Sequence, residues 1–189
     1  RAEDFMKKVT DDAYVEQLMT EYPDLLTENV LNESIRHPLE GYLYPATYPF
    51  YEENPSIEEI INTMLTSMNT IVSEYTPILE EREMTVHELL TFASLLEEEA
   101  TAQTDRETIA SVFYNRMDIE MPLQTDPTVL YALGSHKDRV LYEDLEVDNP
   151  YNTYQNVGLP PGPIAGAGKT SIEAALNPSQ TDYLYFLAD

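Results

Sequence analysis

The chain has 189 residues, of which 42% are hydrophobic, so it is long enough and apolar enough to bury the core of one domain. Its 35 acidic residues against 10 basic ones give a formal net charge of −25, which argues against binding nucleic acid and against adhesion to anionic lipid. The absence of cysteine excludes a disulfide framework and a cysteine nucleophile.

The ends of the sequence suggest a piece of a longer protein. No apolar run approaches the roughly 20 residues of a membrane span, and no signal peptide is visible. The sequence begins abruptly at Arg1 and stops inside an apolar run. We therefore expect an excised segment, so the lack of an anchor in it says nothing about the full protein.

The first half of the chain is mainly helical in pattern. Apolar spacing predicts two short helices within residues 3–20. Residues 39–50 are rich in β-forming side chains and predict a strand that ends at Pro45. Ser56 is a suitable N-cap for a long helix with a regular apolar stripe, the clearest periodic pattern in the sequence.

The second half adds further helices and one long irregular loop. A helix is predicted from near Thr85 to a run of glutamates, and another runs through the following apolar residues to Met117. Residues 142–168 are rich in Asp, Asn, Pro and Gly and have no period, which is typical of a functional loop. Residues 183–187 predict a closing strand. The fold class predicted is α+β: mostly helical, with a small sheet and a long Pro/Gly/Asn-rich loop.

Three glutamates end the helix that begins near Thr85, and they are not equivalent. At about 100° per residue the apolar residues of this helix form one stripe, and Glu97 falls on its edge. Glu98 points nearly opposite, into water, and Glu99 lies on the far flank. Burial would favour the protonated acid at Glu97 and make it a usable proton donor. A solvated acidic helix end is the alternative.

Cofactor motifs are incomplete in this sequence. The histidines at His37, His87 and His136 are scattered, so no zinc site is predicted. The Gly-Lys-Thr at Gly168 resembles the end of a phosphate-binding loop, but Pro163 replaces the glycine that the motif requires. We predict that the protein needs neither a metal nor an organic cofactor.

Carboxylate chemistry is the option that remains. Ordinary glycosidases use two carboxylates, so Glu97 would need a partner, and Glu40 and Asp126 are the candidates. Asp126 precedes Pro127 and also fits the N-cap of a short helix. Ser94 lies one turn before the glutamates and could bond Glu97 or its own helix.

Seven motifs, in order over residues 39–189, resemble the endolytic murein transglycosylases of the MltG (YceG-like) family. They are LEGYLYP at 39–45, ASLLE at 93–97, ASVFYNR at 110–116, LQTDPT at 123–128, YNTY at 151–154, GLPPGPI at 158–164 and YLYF at 183–186. The resemblance implies a catalytic domain over residues 39–189, truncated at its end. Residues 1–38 match loosely and would hold the tail of a LysM-like domain.

The resemblance also implies an activity. Glu97 matches the family's catalytic acid, and the reaction would cleave the β-1,4 bond between N-acetylmuramic acid and N-acetylglucosamine of peptidoglycan, leaving 1,6-anhydro ends. The substrate-binding residues that we predict are Glu40, Ser94, Gln124, Thr125, Asp126, Asn152, Thr153 and Tyr154. A two-carboxylate muramidase and a non-catalytic glycan-binding module are the alternatives. The resemblance also implies that the full protein is anchored at the outer face of the cell membrane, where the cell-wall synthesis machinery is a candidate partner.

Overall fold

The structure, a computed structural model, describes residues 2–100, 105–134, 137 and 139–187. His136 therefore lies outside the described residues. Within these ranges the regular secondary structure is helical, with two short 3-10 helices at Glu28–Leu31 and Asp144–Glu146. The α-helices are α1 (Ala2–Val9), α2 (Asp12–Glu21), α3 (Ile57–Ser73), α4 (Thr76–Glu81), α5 (Val86–Glu99), α6 (Arg106–Asp118), α7 (Asp126–Leu133) and α8 (Lys169–Leu176).

The α+β prediction is wrong, because the described residues contain no strand and no sheet. The predicted strand at 39–50 instead begins with consecutive turns. Glu40 N–H donates to His37 O at 3.1 Å, and Tyr42 N–H donates to Leu39 O at 3.1 Å. Gly41 lies between them with a φ of 80°, a left-handed conformation that glycine adopts without strain. β-forming residues therefore line a turn here and have no strand to pair with.

The predicted closing strand at 183–187 has no regular secondary structure and pairs with no strand. Its carbonyl groups are bonded by side chains of α6: Asn115 Nδ2 donates to Tyr183 O at 2.9 Å, and Arg116 Nε donates to Leu184 O at 2.8 Å. Side-chain donors thus replace the neighbouring strand that a sheet would supply. Sequence propensity cannot distinguish carbonyl groups that bond a neighbouring strand from carbonyl groups that bond side chains.

Helix α5 lies at the centre of the molecule. Every residue from 89 to 96 is buried, including Thr91 and Ser94, so the apolar residues do not form the one-sided stripe that the spacing predicted. Helix α8 packs most closely against it, and α7 and α6 add further contacts. Only the two ends of this helix are accessible, and its C-terminal end carries Glu97, Glu98 and Glu99.

The N-terminal residues pack into the same core as the rest of the chain. Val15, Leu18 and Val30 are fully buried in the cluster that also holds Leu65 and Leu90. The domain boundary after residue 38 stays a prediction. No described helix is both long and apolar enough to cross a membrane.

Candidate active site at the end of helix α5

Glu97 is held by the first turn of α8. Its Oε2 accepts a hydrogen bond from Ser171 Oγ at 2.5 Å and another from the backbone N–H of Gly168 at 3.2 Å. Gly168 is the N-cap of α8, where backbone N–H groups are free to bind an acidic group. Glu97 is half-buried, and its two donors fix the orientation of the carboxyl group, as a positioned acid or base requires.

A cation lies behind this pair. Arg106, the first residue of α6, donates from Nε to Ser171 Oγ at 3.2 Å. Ser171 is fully buried, so its hydroxyl is restricted to these two partners among the described residues. The chain Arg106–Ser171–Glu97 therefore connects three helices at one point.

Glu99 belongs to a separate carboxylate pair. Burial first, and then the nearby Asp126 and Glu98, raise the pKa of Glu99 to about 7. Asp126 accepts a hydrogen bond from the Tyr154 hydroxyl at 2.6 Å. The structure therefore brings Asp126 and Tyr154 together beside α5, and both are at least partly accessible. Thr125 is the N-cap of α7, so the prediction of an N-cap at Asp126 is wrong by one residue.

Glu98 faces a different neighbour again. It is exposed, and together with Glu40 it lines a cavity. Burial raises the pKa of Glu40, with Arg36 opposing the shift and Glu98 reinforcing it. Partial loss of solvent at the cavity wall, followed by the charge of Glu97, also raises the pKa of Glu98. Three consecutive glutamates thus face three different sets of residues.

Ser94 bonds its own helix and a loop. Its hydroxyl donates to Thr91 O at 2.7 Å and accepts from Ile164 N–H at 3.1 Å. Ile164 belongs to the Gly/Pro-rich loop 158–166, so this buried serine fixes the loop against α5. The structure shows no bond between Ser94 and Glu97.

Three more of the predicted binding residues are buried, in addition to Ser94. Thr125 and Thr153 share a cluster of hydroxyl groups with Thr128, in which Thr128 Oγ1 lies 2.8 Å from Thr153 Oγ1. Asn152 is fully buried and donates from Nδ2 to Leu145 O and Val147 O, which closes the loop around it. These side chains shape the surface beneath the site.

Gln124 is the predicted residue with unusual backbone geometry. Its side chain is exposed and its φ is 53°, a left-handed conformation that costs energy in a residue with a Cβ. The backbone N–H of Gln124 donates to Thr153 O at 3.1 Å, which holds that conformation.

Sequence reasoning missed Gly168, Ser171 and Arg106. The bonds from Gly168 and Ser171 to Glu97 span 71 and 74 residues, so no local pattern could reveal them. The Gly-Lys-Thr run that we rejected as a phosphate loop was the available signal, since it marks a helix N-terminus with free N–H groups. Within the described ranges, no group of three or more His, Asp or Glu side chains is placed to hold a metal ion.

Comparison with known proteins identifies the family. The sequence matches the YceG-like family over residues 1–189. It is 60% identical over 181 residues to an endolytic murein transglycosylase of Bacillus subtilis (strain 168), and 43% identical over 194 residues to one of Streptococcus pneumoniae serotype 2 (strain D39 / NCTC 7466). The crystal structure of a yceG-like protein from Listeria monocytogenes superposes with a TM-score of 0.96 at 53% identity, over 100% of this chain and 62% of that one.

The chain belongs to the YceG-like family, and the resemblance seen in the sequence is confirmed. The matched regions cover 96% and 100% of this chain, but 50% of the Bacillus protein and 35% of the Streptococcus protein. The chain therefore spans half or less of the length of these two relatives.

Proposed function

We propose that the protein is an endolytic peptidoglycan lytic transglycosylase that cleaves the bond between N-acetylmuramic acid and N-acetylglucosamine within glycan strands. Two relatives that it matches are named endolytic murein transglycosylases. The observation that carries the proposal is the carboxyl group of Glu97, which is fixed on one oxygen by Ser171 and Gly168 at the accessible end of a buried helix.

In the proposed reaction one carboxyl group acts twice. Glu97 first donates its proton to the glycosidic oxygen, the C1–O bond breaks, and N-acetylglucosamine leaves with a free hydroxyl group. The Glu97 carboxylate then accepts the proton of the 6-hydroxyl of the muramic sugar while that oxygen bonds to C1. The nucleophile belongs to the substrate, so neither water nor a second carboxylate is consumed.

Apart from Glu40, the predicted binding residues divide into two groups under this proposal. Gln124, Asp126 and Tyr154 are accessible and would contact the glycan beside Glu99. The buried residues Thr125, Asn152 and Thr153, which hold the groove in shape, would act indirectly, as would Ser94 by fixing loop 158–166 as a wall.

We also propose a cellular setting. The whole protein would be anchored by one membrane helix, with this domain on the outer face, where it terminates nascent strands beside the cell-wall synthesis machinery. Residues 1–38 would then hold the tail of a LysM-like domain. Fractionation of cells that express the full-length protein should place it in the membrane fraction, and recovery from the cytosol would contradict this setting.

Product mass tests the reaction. Purified peptidoglycan strands digested by the protein should yield fragments with 1,6-anhydro ends, which are one water lighter than reducing ends. Reducing ends would indicate a muramidase that uses Glu97 with Glu40 or Asp126. Retained glycan binding without any cleavage would indicate a binding module. A Glu81→Gln variant is a suitable control for both readouts, since Glu81 is an exposed carboxylate at the end of α4.

A further inference from the structure

A cavity of about 580 Å³ lies next to the proposed active site. Glu98, the neighbour of Glu97, forms part of its wall, and Ile164 of the 158–166 loop forms another part. The cavity is therefore bounded by the helix end that carries Glu97 and by the loop that Ser94 fixes against α5. The proposed reaction does not use it.

The walls of this cavity carry both signs of charge. Arg36 and Lys137 line it, although the whole chain has 10 basic residues against 35 acidic ones, and Glu40 and Glu98 line it as well. Arg36 is held in place, because its Nη1 donates to Tyr131 O at 2.5 Å and its guanidinium lies 5.4 Å from the Tyr131 ring centre. Lys137 is also fixed, by a 2.6 Å ion pair with Asp144.

His37, which lines the cavity, has a buried ring nitrogen without a partner among the described residues. The Nδ1 of His37 is buried and makes no hydrogen bond among the described residues. Burial, followed by the charge of Arg36, lowers the pKa of His37, so the ring is neutral at ordinary pH. A neutral imidazole nitrogen that is buried without a partner is costly unless a ligand or water completes it.

We propose that this cavity binds the peptide stem of peptidoglycan. The inference rests on the proposed function, because the stem hangs from C3 of the muramic sugar whose C1–O bond is cleaved. It must therefore leave the groove within one sugar ring of Glu97, where Glu98 begins the wall. A stem that is not cross-linked carries free carboxylates and a free amine, which matches a wall of mixed charge.

The binding mode follows from charge. Carboxylates of the stem pair with Arg36 and Lys137, and its amine pairs with Glu40 and Glu98. The apolar side chains of Leu130 and Ile164 contact the methyl groups of its alanines. Cross-linking converts the amine to an amide and removes one of these pairs. The cavity therefore favours strands whose stems are not yet cross-linked.

The test compares two substrates that differ only in the stem. One is uncross-linked glycan strands with intact stems, and the other is the same strands after an amidase has removed them. Wild-type protein should cleave the first with a kcat/KM roughly tenfold higher, the value of about one charge-assisted hydrogen bond. Arg36→Gln and Glu40→Gln should each lower this ratio several-fold. Lys7→Ala, which removes an exposed cation of α1 paired with Glu3, should leave the ratio unchanged.

The two substrates distinguish a failure of the stem site from a failure of the proposed function. Equal rates on both substrates would overturn the stem site and leave the proposed function intact, whereas no cleavage of either would overturn both. A second measurement does not depend on folded variants: a stem pentapeptide titrated into ¹⁵N-labelled wild-type protein at millimolar concentration. It should shift the backbone amide signals of His37, Glu40 and Glu98, and the absence of any shift would contradict the proposal.

Discussion

Ser171 fixes the orientation of the Glu97 carboxyl group, because its hydroxyl is hydrogen-bonded to both Glu97 and Arg106. It donates to Glu97 Oε2 at 2.5 Å and accepts from Arg106 Nε at 3.2 Å. In Ser171→Ala, Glu97 keeps only the longer bond from Gly168, at 3.2 Å. A hydrogen bond to a charged group contributes roughly 1.5–3 kcal/mol, so losing the bond from Ser171 leaves the carboxyl group free to take other orientations.

We expect Ser171→Ala to lower kcat about tenfold or more, with little change in KM. The measurement is steady-state release of fragments from peptidoglycan strands, with Ser73→Ala on the exposed side of α3 as the control. A Ser171→Ala variant with the wild-type kcat would show that this hydroxyl does not position the acid.

Glu99 introduces a pH-dependent contribution to stability. The folded protein raises its pKa to about 7 through burial, Asp126 and Glu98, so the folded state holds this proton more tightly than the unfolded chain does. The stability from that proton is present below the ordinary glutamate pKa and is lost as pH rises through about 7.

Glu99→Gln should therefore remove part of the loss of stability between pH 5 and 8, on the order of 2 kcal/mol. Urea unfolding at both pH values measures it, with Glu81→Gln as a control that should keep the wild-type loss. A Glu99→Gln variant whose unfolding free energy falls as much as that of the wild type would contradict the assignment.

At the residue scale, the sequence was enough to select Glu97 as the candidate acid, because the selection used only residues of one helix. The family motif and the spacing of the apolar residues both selected Glu97. The spacing alone was misleading, because residues 89–96 are buried all round and no single buried face exists. Contact with α8 separates Glu97 from Glu98 and Glu99, and that contact depends on the tertiary fold.

Among the structural elements, the turn at 39–42 and the 158–166 loop depend on each other. Gly41 has a φ of 80°, and a Cβ added there would overlap the ring of Pro163. The turn carries Glu40 and the loop carries Ile164. This close approach therefore brings together two walls of the cavity that we propose binds the peptide stem. Gly158 has a φ of 86° but no atom within 4 Å of the equivalent Cβ position.

These two glycines form a matched pair. Gly158→Ala should cost only the backbone strain, about 1 kcal/mol in unfolding free energy, whereas Gly41→Ala should cost at least about 3 kcal/mol because the proline ring must also move. Urea denaturation of both variants measures the difference. Equal costs would mean that the contact between the turn and the loop contributes nothing.

Helices were predictable as elements and strands were not. The apolar period of α3 identified it, and its inward residues Ile61, Leu65, Met68 and Val72 are buried as expected. The strand predictions for the β-rich segments were wrong because backbone groups need hydrogen bonds but not necessarily a neighbouring strand. Arg116 and Asn115 supply those bonds at the chain's end, and they lie about 70 residues away in sequence.

For the whole molecule, the sequence predicts catalysis without a metal or organic cofactor. The proposed chemistry uses one carboxyl group and the 6-hydroxyl of the substrate. Dialysis against EDTA should therefore leave the rate of strand cleavage unchanged, measured before and after chelation. A loss of rate that returns on adding a divalent cation would contradict the proposed mechanism.

The net charge of −25 also bears on the whole molecule, since it restricts where an anionic substrate can bind. Glycan rings are uncharged and tolerate the carboxylates around Glu97, but the stem peptides carry carboxylates that would be repelled there. In the proposed stem-binding cavity, Arg36 and Lys137 would provide two cations for those carboxylates to pair with. The composition argued against nucleic acid and anionic lipid as partners, but the location of the cations could be known only from the fold.

The central claim is that Glu97 transfers the proton, and Glu97→Gln tests it most directly. The substitution keeps the size of the side chain and its contacts with Ser171 and Gly168, but it removes the transferable proton. Turnover of peptidoglycan strands should fall by at least roughly 10²–10⁴-fold, while circular dichroism and glycan binding match the wild type and Glu81→Gln stays active. A folded Glu97→Gln protein that cleaves strands at a rate near the wild-type value would contradict the account.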